Sequence, residues 1–501
     1  MCVVLTADQS LPVSDIHQTF RGNLQTSSDE ATTSAVLITP SALGKRSRSD
    51  SELRRNSDQP VTSAELARHN SEDDCWLAVK GKVCTATLSD VGEAVVQVKS
   101  SYTRVQVQVY DVTGWTAQHP GGRVIATYAG RDATDVFACF HAATSWGQLK
   151  QFYVGDLVDP QPVPPLLADF RKMRTQMQQQ GLFKCKKGYY LVKLASNFGL
   201  LATAVAVFAL WRDRMWAYML SACLISLFWQ QSGWLAHDFC HHQVFRSKRL
   251  NYLMGLLIGT VCLGFSPAWW KAKHNTHHAA PNELDHDCKT PLDPDIDTLP
   301  LIAWSVEMLE SLPNASHRML VRAQHYFFFP ILLFARLSWC QQSVAHAYGL
   351  SKSRKHGWDE LACLMVHYGW YLGLVFSQLS LAKGLLFVLL TQMICGFFLS
   401  IVFVQSHNGM EVYSTEKDFV TAQVVSTRDI ASGLWNDWFT GGLNYQIEHH
   451  LFPTLPRHNL AKIQSRVQSL CERHGLLYES CGMGVGTVRV LQRLAHVASH
   501  A

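Results

Sequence analysis

The chain has 501 residues, 48% of them hydrophobic, and a formal net charge of +5. That length is too great for one ordinary domain, and the mild positive charge forms no single basic stripe of the kind that tracks nucleic acid. The 14 cysteines are scattered without CxxC pairs, which argues for reducing surroundings and against a disulfide framework. No apolar run follows Met1, which argues against a secretory signal peptide.

Residues 1–60 are rich in Ser, Thr, Asp and Gln and lack hydrophobic periodicity, so they read as a disordered N-terminal tail. The basic pieces Lys45-Arg46-Ser47-Arg48 and Arg54-Arg55 fit a solvated tail better than an address signal; Asp8, Asp15, Asp29 and Glu30 weaken a transit peptide. Residues 61–160 read as a small soluble domain. It carries His119-Pro120-Gly121-Gly122, then Tyr128-Ala129-Gly130-Arg131-Asp132-Ala133-Thr134, then His141. With Asp74-Cys75-Trp76 before and Phe152-Tyr153-Val154-Gly155-Asp156 after, this segment resembles the cytochrome b5 family. The resemblance implies a small α+β fold holding haem b between the neutral imidazoles of His119 and His141. Two axial histidines leave no open position for oxygen, so such a haem carries electrons. One stretch departs from the pattern. In that family a segment like Gly81-Lys82-Val83 runs almost directly into one like Tyr110-Asp111-Val112-Thr113, and here residues 83–108 intervene. They read as a surface loop, whose closure costs little, or as a translated intron, since a Val codon can begin with GT and a Gln codon can read CAG. Of the two, the retained intron is favoured.

Residues 161–188 read as a linker with a basic collar, including Arg171, Lys172, Arg174, Lys184, Lys186 and Lys187. An apolar body follows over 189–480. Tyr190 to Leu210 and Met215 to Leu235 are each long enough to span a ~30 Å hydrocarbon core, and Trp211 to Arg214 joins them as a hairpin. Arg246, Lys248 and Arg249, like the collar, mark the cytosolic side. Residues 250–266, interrupted by Gly255, Gly259 and Gly264, read as re-entrant or interfacial, and the acidic stretch Asp285 to Asp297 as an ordinary loop. Tyr326 to Trp339 is short, holds Pro330 and Arg336, and is expected to lie in the interface. Leu361 to Ser377 and Leu385 to Gln405 complete four transmembrane helices, with His367 packed and neutral inside the third. A cytosolic helix is expected over 459–475 and a C-terminal tail over 481–501.

Three histidine clusters lie beside these apolar segments: His237-Asp238-Phe239-Cys240-His241-His242, His274-Asn275-Thr276-His277-His278, and Gln446-Ile447-Glu448-His449-His450. Spacings of three and four let one helix aim two ligands at one ion. His407, at the end of the last span, adds a candidate. The nine histidines with Gln446 are too many ligands for one ion and suit two. Clusters that share metals must share one side of the membrane, which an even number of crossings between the second and third satisfies. Imidazole suits iron, copper, zinc and nickel alike. The haem-type domain selects among them, because a hydrolytic zinc site needs no electrons and a di-iron site that reduces oxygen does.

The chain from about 61 to 475 resembles the front-end fatty acyl desaturases, membrane enzymes with a fused cytochrome b5 domain and three histidine boxes. The boxes here read HDFCHH, HNTHH and QIEHH, and Gln446 is the feature that sets the front-end group apart. Gly233-Trp234-Leu235-Ala236 and Asn436-Asp437-Trp438-Phe439 with Gly441-Gly442 match that group too. The resemblance implies four transmembrane helices under a cytosolic di-iron cap, in the endoplasmic reticulum with both termini cytosolic. It implies a double bond inserted between an existing one and the carboxyl end of an acyl chain, carried as acyl-CoA or on a glycerolipid of the bilayer. Two irons, O2, and electrons from NADH through cytochrome b5 reductase would serve the reaction, with Gln446 tuning the metal site. His242-Gln243-Val244-Phe245 and Asp293 to Thr298 look most like Δ6 members acting on linoleoyl and α-linolenoyl chains. Δ5, Δ8 and sphingolipid Δ8 desaturases share nearly all of this. A fatty acyl hydroxylase is opposed by the Gln446 box, and a non-catalytic haem protein on a membrane anchor would leave the clustered histidines without a role. No nucleic-acid partner is expected.

Overall fold

The structure is a computed structural model that describes residues 60–80, 107–119, 121–141, 143–285, 288, 290–352 and 356–501. The expected N-terminal tail up to residue 59, and residues 83–106 of the inserted segment, lie outside the described residues.

Near its start the described chain forms a four-stranded antiparallel sheet in the order β1 (Asn70–Ser71), β2 (Asp74–Lys80), β3 (Val107–Asp111), β4 (Tyr153–Asp156). Successive side chains on a strand face opposite ways. Cys75, Leu77 and Val79 therefore join Tyr110 and Val112 in one core, and Trp76 and Ala78 join Val61, Leu66 and Val109 in another. Ala78 stands opposite Val109 and Val79 opposite Gln108. The segment set apart as an insert thus ends in strand: Val107 and Gln108 pair with Lys80 and Val79. The helix Thr134–Phe140 and short helical turns at Thr113–Gln118 and Gly122–Tyr128 carry the two histidine motifs of this domain.

The stretch expected as a linker is mostly a helix, Pro165–Gln179. Proline is well placed at a first helical position. Phe170, Met173 and Met177 recur on one helical face, and they are buried against Phe452, Leu455, Ile463 and Val467. This segment braces the C-terminal half of the chain instead of hanging loose.

Two helices, Lys187–Trp211 and Leu381–His407, are long and apolar enough to cross a membrane. Met215–Cys240 and His356–Gln378 have the expected length but are more polar, the first burying Ser221, Ser226, Gln230 and Gln231 against its neighbours. Lys248–Met254 runs into a π-helical stretch, Gly255–Cys262, and the chain then turns by 107° into helix Pro267–Ala279, a broken span or a re-entrant turn. Gly264 makes that turn with φ +89, and a Cβ there would come within 2.6 Å of the His367 ring. His367 is fully buried, with Nδ1 3.0 Å from the Val261 carbonyl, a packed residue as expected. The segment around Tyr326 to Trp339 is split between two helices, Gln324–Leu332 and Ala335–Ser351.

Past the third box, helix Leu460–Arg473 buries Ile463, Val467 and Leu470. The last residues are not a tail. They form helix Met483–Ala498, whose Val490, Leu494 and Val497 recur at helical spacing and enter the same core as the apolar helices.

Candidate metal centre

Four helices converge on the site. His237 and His241 come from the end of Met215–Cys240, His274, His277 and His278 from Pro267–Ala279, His407 from the last turn of Leu381–His407, and His449 and His450 from Gln446–Leu451. All eight are buried. Their ring nitrogens form two groups, each with its ligand atoms within 4.8 Å of one another: His237, His241, His274, His278 and His449 in one, and His277, His407 and His450 in the other.

The smaller group shows most plainly what it is built to hold. Nδ1 of His277 lies 2.9 Å from the Asp293 carboxylate, Nδ1 of His407 lies 3.2 Å from the Ser426 carbonyl, and Nδ1 of His450 lies 2.8 Å from Gln423 Oε1. Gln423 is oriented in turn, because its amide nitrogen donates to the His278 carbonyl at 3.0 Å. Each of the three imidazoles donates from Nδ1, so in the neutral form each presents a bare lone pair at Nε2. The Nε2 atoms of His277 and His407 lie 3.3 Å apart, and Nε2 of His450 has no protein partner. Two facing acceptors repel unless a cation lies between them. A histidine ligand that donates its other nitrogen to a carboxylate or carbonyl is the usual arrangement at a metal.

The larger group has the same character. Nε2 of His237 and His449 lie 3.0 Å apart, as do those of His274 and His278, and Nε2 of His241 is buried without a partner. Burial and the neighbouring imidazoles hold His449 and His450 well below the ordinary histidine pKa, which keeps them in the neutral form that binds metal. Burial also opposes charge on His277, but Asp293 and Asp295 outweigh it and raise its basicity. The donor set fits two cations held by imidazole.

His242 is the exception among the expected ligands. It sits in the left-handed backbone region at φ 58, outside both groups, with Nε2 3.4 Å from the Lys271 ammonium. Gln446 does reach the smaller group: its amide nitrogen lies 3.1 Å from His407 Nε2, and its Oε1 is buried without a protein partner. Sequence reasoning passed over four residues that orient the imidazoles. Asp238, 3.3 Å from His237 Nδ1, was visible inside the first box. Asp293 sat in the acidic loop read as ordinary. Gln423 and Ser426 carry no local signal at all.

The other expected pair, His119 and His141, stands in the β-sheet domain with ring centroids 5.9 Å apart. Two axial imidazoles sharing one ion, each bonded at about 2 Å, require a separation of this order. His141 Nδ1 contacts the Phe137 carbonyl at 3.2 Å, which leaves Nε2 for a ligand. Burial and His119 push the His141 pKa down to about 4. A Cβ at Gly121 would come 2.9 Å from the His119 ring, so glycine there keeps the space beside the imidazole clear. The pair fits a haem.

Comparison with known proteins finds two family models in the chain. Residues 214–482 match the family model for fatty acid desaturase, and residues 87–158 that for the cytochrome b5-like heme/steroid binding domain. An acyl-lipid (9-3)-desaturase of Physcomitrium patens is 43% identical over 497 residues, covering 99% of this chain and 89% of that protein. A delta(8)-fatty-acid desaturase of Euglena gracilis is 36% identical over 414 residues, 79% of this chain and 94% of its own. The delta(6)-fatty-acid desaturase fat-3 of Caenorhabditis elegans is 32% identical over 421 residues, with 76% and 93% covered. With its histidine boxes gathered into two buried groups behind a haem-type domain, the chain belongs to the front-end fatty acid desaturases, oxidoreductases that carry a fused cytochrome b5 domain.

Proposed function

We propose that this enzyme inserts a front-end double bond at the Δ6 position of linoleoyl and α-linolenoyl chains, between the existing unsaturation and the carboxyl end. The observation that carries desaturation is the pairing of the eight-histidine centre with a narrow apolar crevice that ends on it, and the Δ6 position rests on the likeness of His242-Gln243-Val244-Phe245 and Asp293 to Thr298 to Δ6 members. Gly233, Ala236, Gly255, Gly259, Leu263 and Phe403 line the crevice, and His237 and Cys240 are its titratable side chains. A Cβ at Gly233 would come 3.3 Å from Leu399 and one at Gly259 3.1 Å from Ala236, so these glycines let the walls approach closely and keep the crevice narrow. The apolar walls exclude water, so a saturated C–C segment can lie against His237 while its polar end stays outside. Two irons held by His237, His241, His274, His278 and His449 and by His277, His407 and His450 would supply oxygen activation, which metal and redox cofactors provide and side chains do not. Gln446, beside His407, would adjust the smaller site.

Electrons would come from NADH through cytochrome b5 reductase to a haem b on His119 and His141, and O2 would leave as water. The acyl carrier is taken to be a lipid, following the words acyl-lipid in the name of the Physcomitrium relative. Four crossings by Lys187–Trp211, Met215–Cys240, His356–Gln378 and Leu381–His407 would place every histidine box on the cytosolic face of the endoplasmic reticulum, with both termini on that side. A Δ8 reading is the competitor, supported by the Euglena relative. Expression in a host lacking such acids, feeding of single fatty acids and mass-spectrometric location of the new double bond decide between them. A new bond at carbon 6 of fed linoleate is expected; one only at carbon 8 of a longer chain would replace the Δ6 reading, and a hydroxyl would replace desaturation.

A further inference from the structure

The haem-type domain is seated directly on the backbone of the second and third histidine boxes. The Tyr128 hydroxyl donates to the carbonyl of Ala279, the residue after His278, at 3.2 Å. Arg131 pairs with Glu283 at 3.0 Å with both side chains largely buried. Cys139 Sγ contacts the carbonyl of Leu451, the residue after His450, at 3.5 Å. Asp135 receives both arms of Arg171 at 2.8 Å, which ties the seat to the bracing helix. At the centre of this seat is Phe140, the residue before His141. Its ring meets the His278 imidazole edge-on, with centroids 6.0 Å apart at 76°. His278 belongs to the larger histidine group and stacks on His450 of the smaller one at 4.1 Å and 23°. A single aromatic contact therefore separates a ligand of one centre from a residue that touches both metal groups.

We infer that Phe140 is the electron bridge of this enzyme, and that the Arg131–Glu283 pair keeps the two centres in register while it works. The inference rests on the reading that His119 and His141 hold haem and that the eight histidines hold iron. In each transfer a ferrous haem is oxidised to ferric and one ferric iron is reduced to ferrous; no atom moves. Two transfers supply the two electrons that, with two protons and the two hydrogens taken from the chain, convert O2 to two waters. Opening the seat would break the Tyr128–Ala279, Arg131–Glu283, Cys139–Leu451 and Asp135–Arg171 contacts together, so the haem domain delivers electrons without leaving its place.

The test uses full-length, haem- and iron-loaded protein in lipid nanodiscs containing linoleoyl phospholipid. The haem is reduced chemically, oxygen is added, and haem reoxidation is followed by stopped-flow absorbance. Phe140→Ala should slow reoxidation about tenfold or more, the scale on which small misplacements of reacting groups act. Phe140→Trp should keep most of the rate. Arg131→Glu should also slow it, and Arg131→Glu with Glu283→Arg should restore it. Haem spectrum, midpoint potential and iron content should stay those of the wild type, which separates bridging from a merely structural role. If Phe140→Ala loses haem, Phe140→Leu and Arg131→Glu are read instead. Wild-type reoxidation in Phe140→Ala, or in both substitutes, with both cofactors present overturns the bridge. Iron near zero in active wild-type protein overturns the di-iron reading itself and the bridge with it.

Discussion

His119 and His141 come from adjoining turns of one small domain, stand partly exposed, and offer two ligands. The eight other histidines come from four helices, are buried, and offer ligands for two ions. The same side chain serves both centres, and the difference lies in what fixes it. In the haem-type pair the backbone does most of the work, through Gly121 beside one ring and the Phe137 carbonyl behind the other. In the metal centre a second layer of side chains, Asp238, Asp293 and Gln423, backs Nδ1 of His237, His277 and His450, and the Ser426 carbonyl backs that of His407. A centre that only carries electrons tolerates local support. A centre that must hold two ions in one geometry needs its ligands aimed from behind.

The comparison breaks most sharply if the two centres are separated by mutation. His278→Ala and His450→Ala should each abolish desaturation and deplete iron while leaving the haem spectrum intact, because the haem ligands lie in another domain; metal analysis and a reduced-minus-oxidised spectrum on one sample check this. Parallel loss of haem would show that the centres fold as one.

The supporting layer should give the next largest effect. Asp293→Asn and Gln423→Leu should lower iron affinity or turnover by ~10–100-fold, as losses behind a metal ligand do. A chelator titration against retained iron measures it, and wild-type retention in both would remove the aiming role. Gln446 sharpens the picture from the other side. Gln446→His and Gln446→Ala should both lower turnover at unchanged haem content, and full activity in both would reduce Gln446 to packing. His242→Ala should do least. It stands outside both groups, so its change should leave iron content and turnover near those of the wild type. Loss of iron in that variant would return His242 to the ligand set.

Much of the site was legible because its ligands obey local rules. Pairs three or four apart on a helix are visible in one line of sequence, and so are the His-Pro-Gly-Gly turn and the long apolar helices. What escaped notice depends on contacts between distant segments. Gln423 meets His450 only because helix Phe419–Val425 packs against the third box, and Asp293 meets His277 only because its loop folds back beneath it. His242 looked like a ligand by spacing, yet the chain leaves the helix at that residue and turns it away. The brace Pro165–Gln179 was read as linker because its prolines and charges hide a narrow apolar stripe, and the final helix Met483–Ala498 was read as tail although its packing partners lie in distant helices.

The pairing of β2 with β3 bears on the reading of residues 83–108 as a retained intron. Ala78 faces Val109, and Val79 faces Gln108. Remove residues 83–108 and Lys82 becomes the neighbour of Val109, so it falls opposite Val79 without any slip of register. Lys80 and Gly81 would then be the two residues of a hairpin loop, the commonest length for such a connection. Every side chain of both strands would keep its face, which a one-residue error would have reversed. A transcript spliced at those points encodes the same sheet with a shorter turn, and a protein made from it should bind haem as well as the longer form and melt no lower.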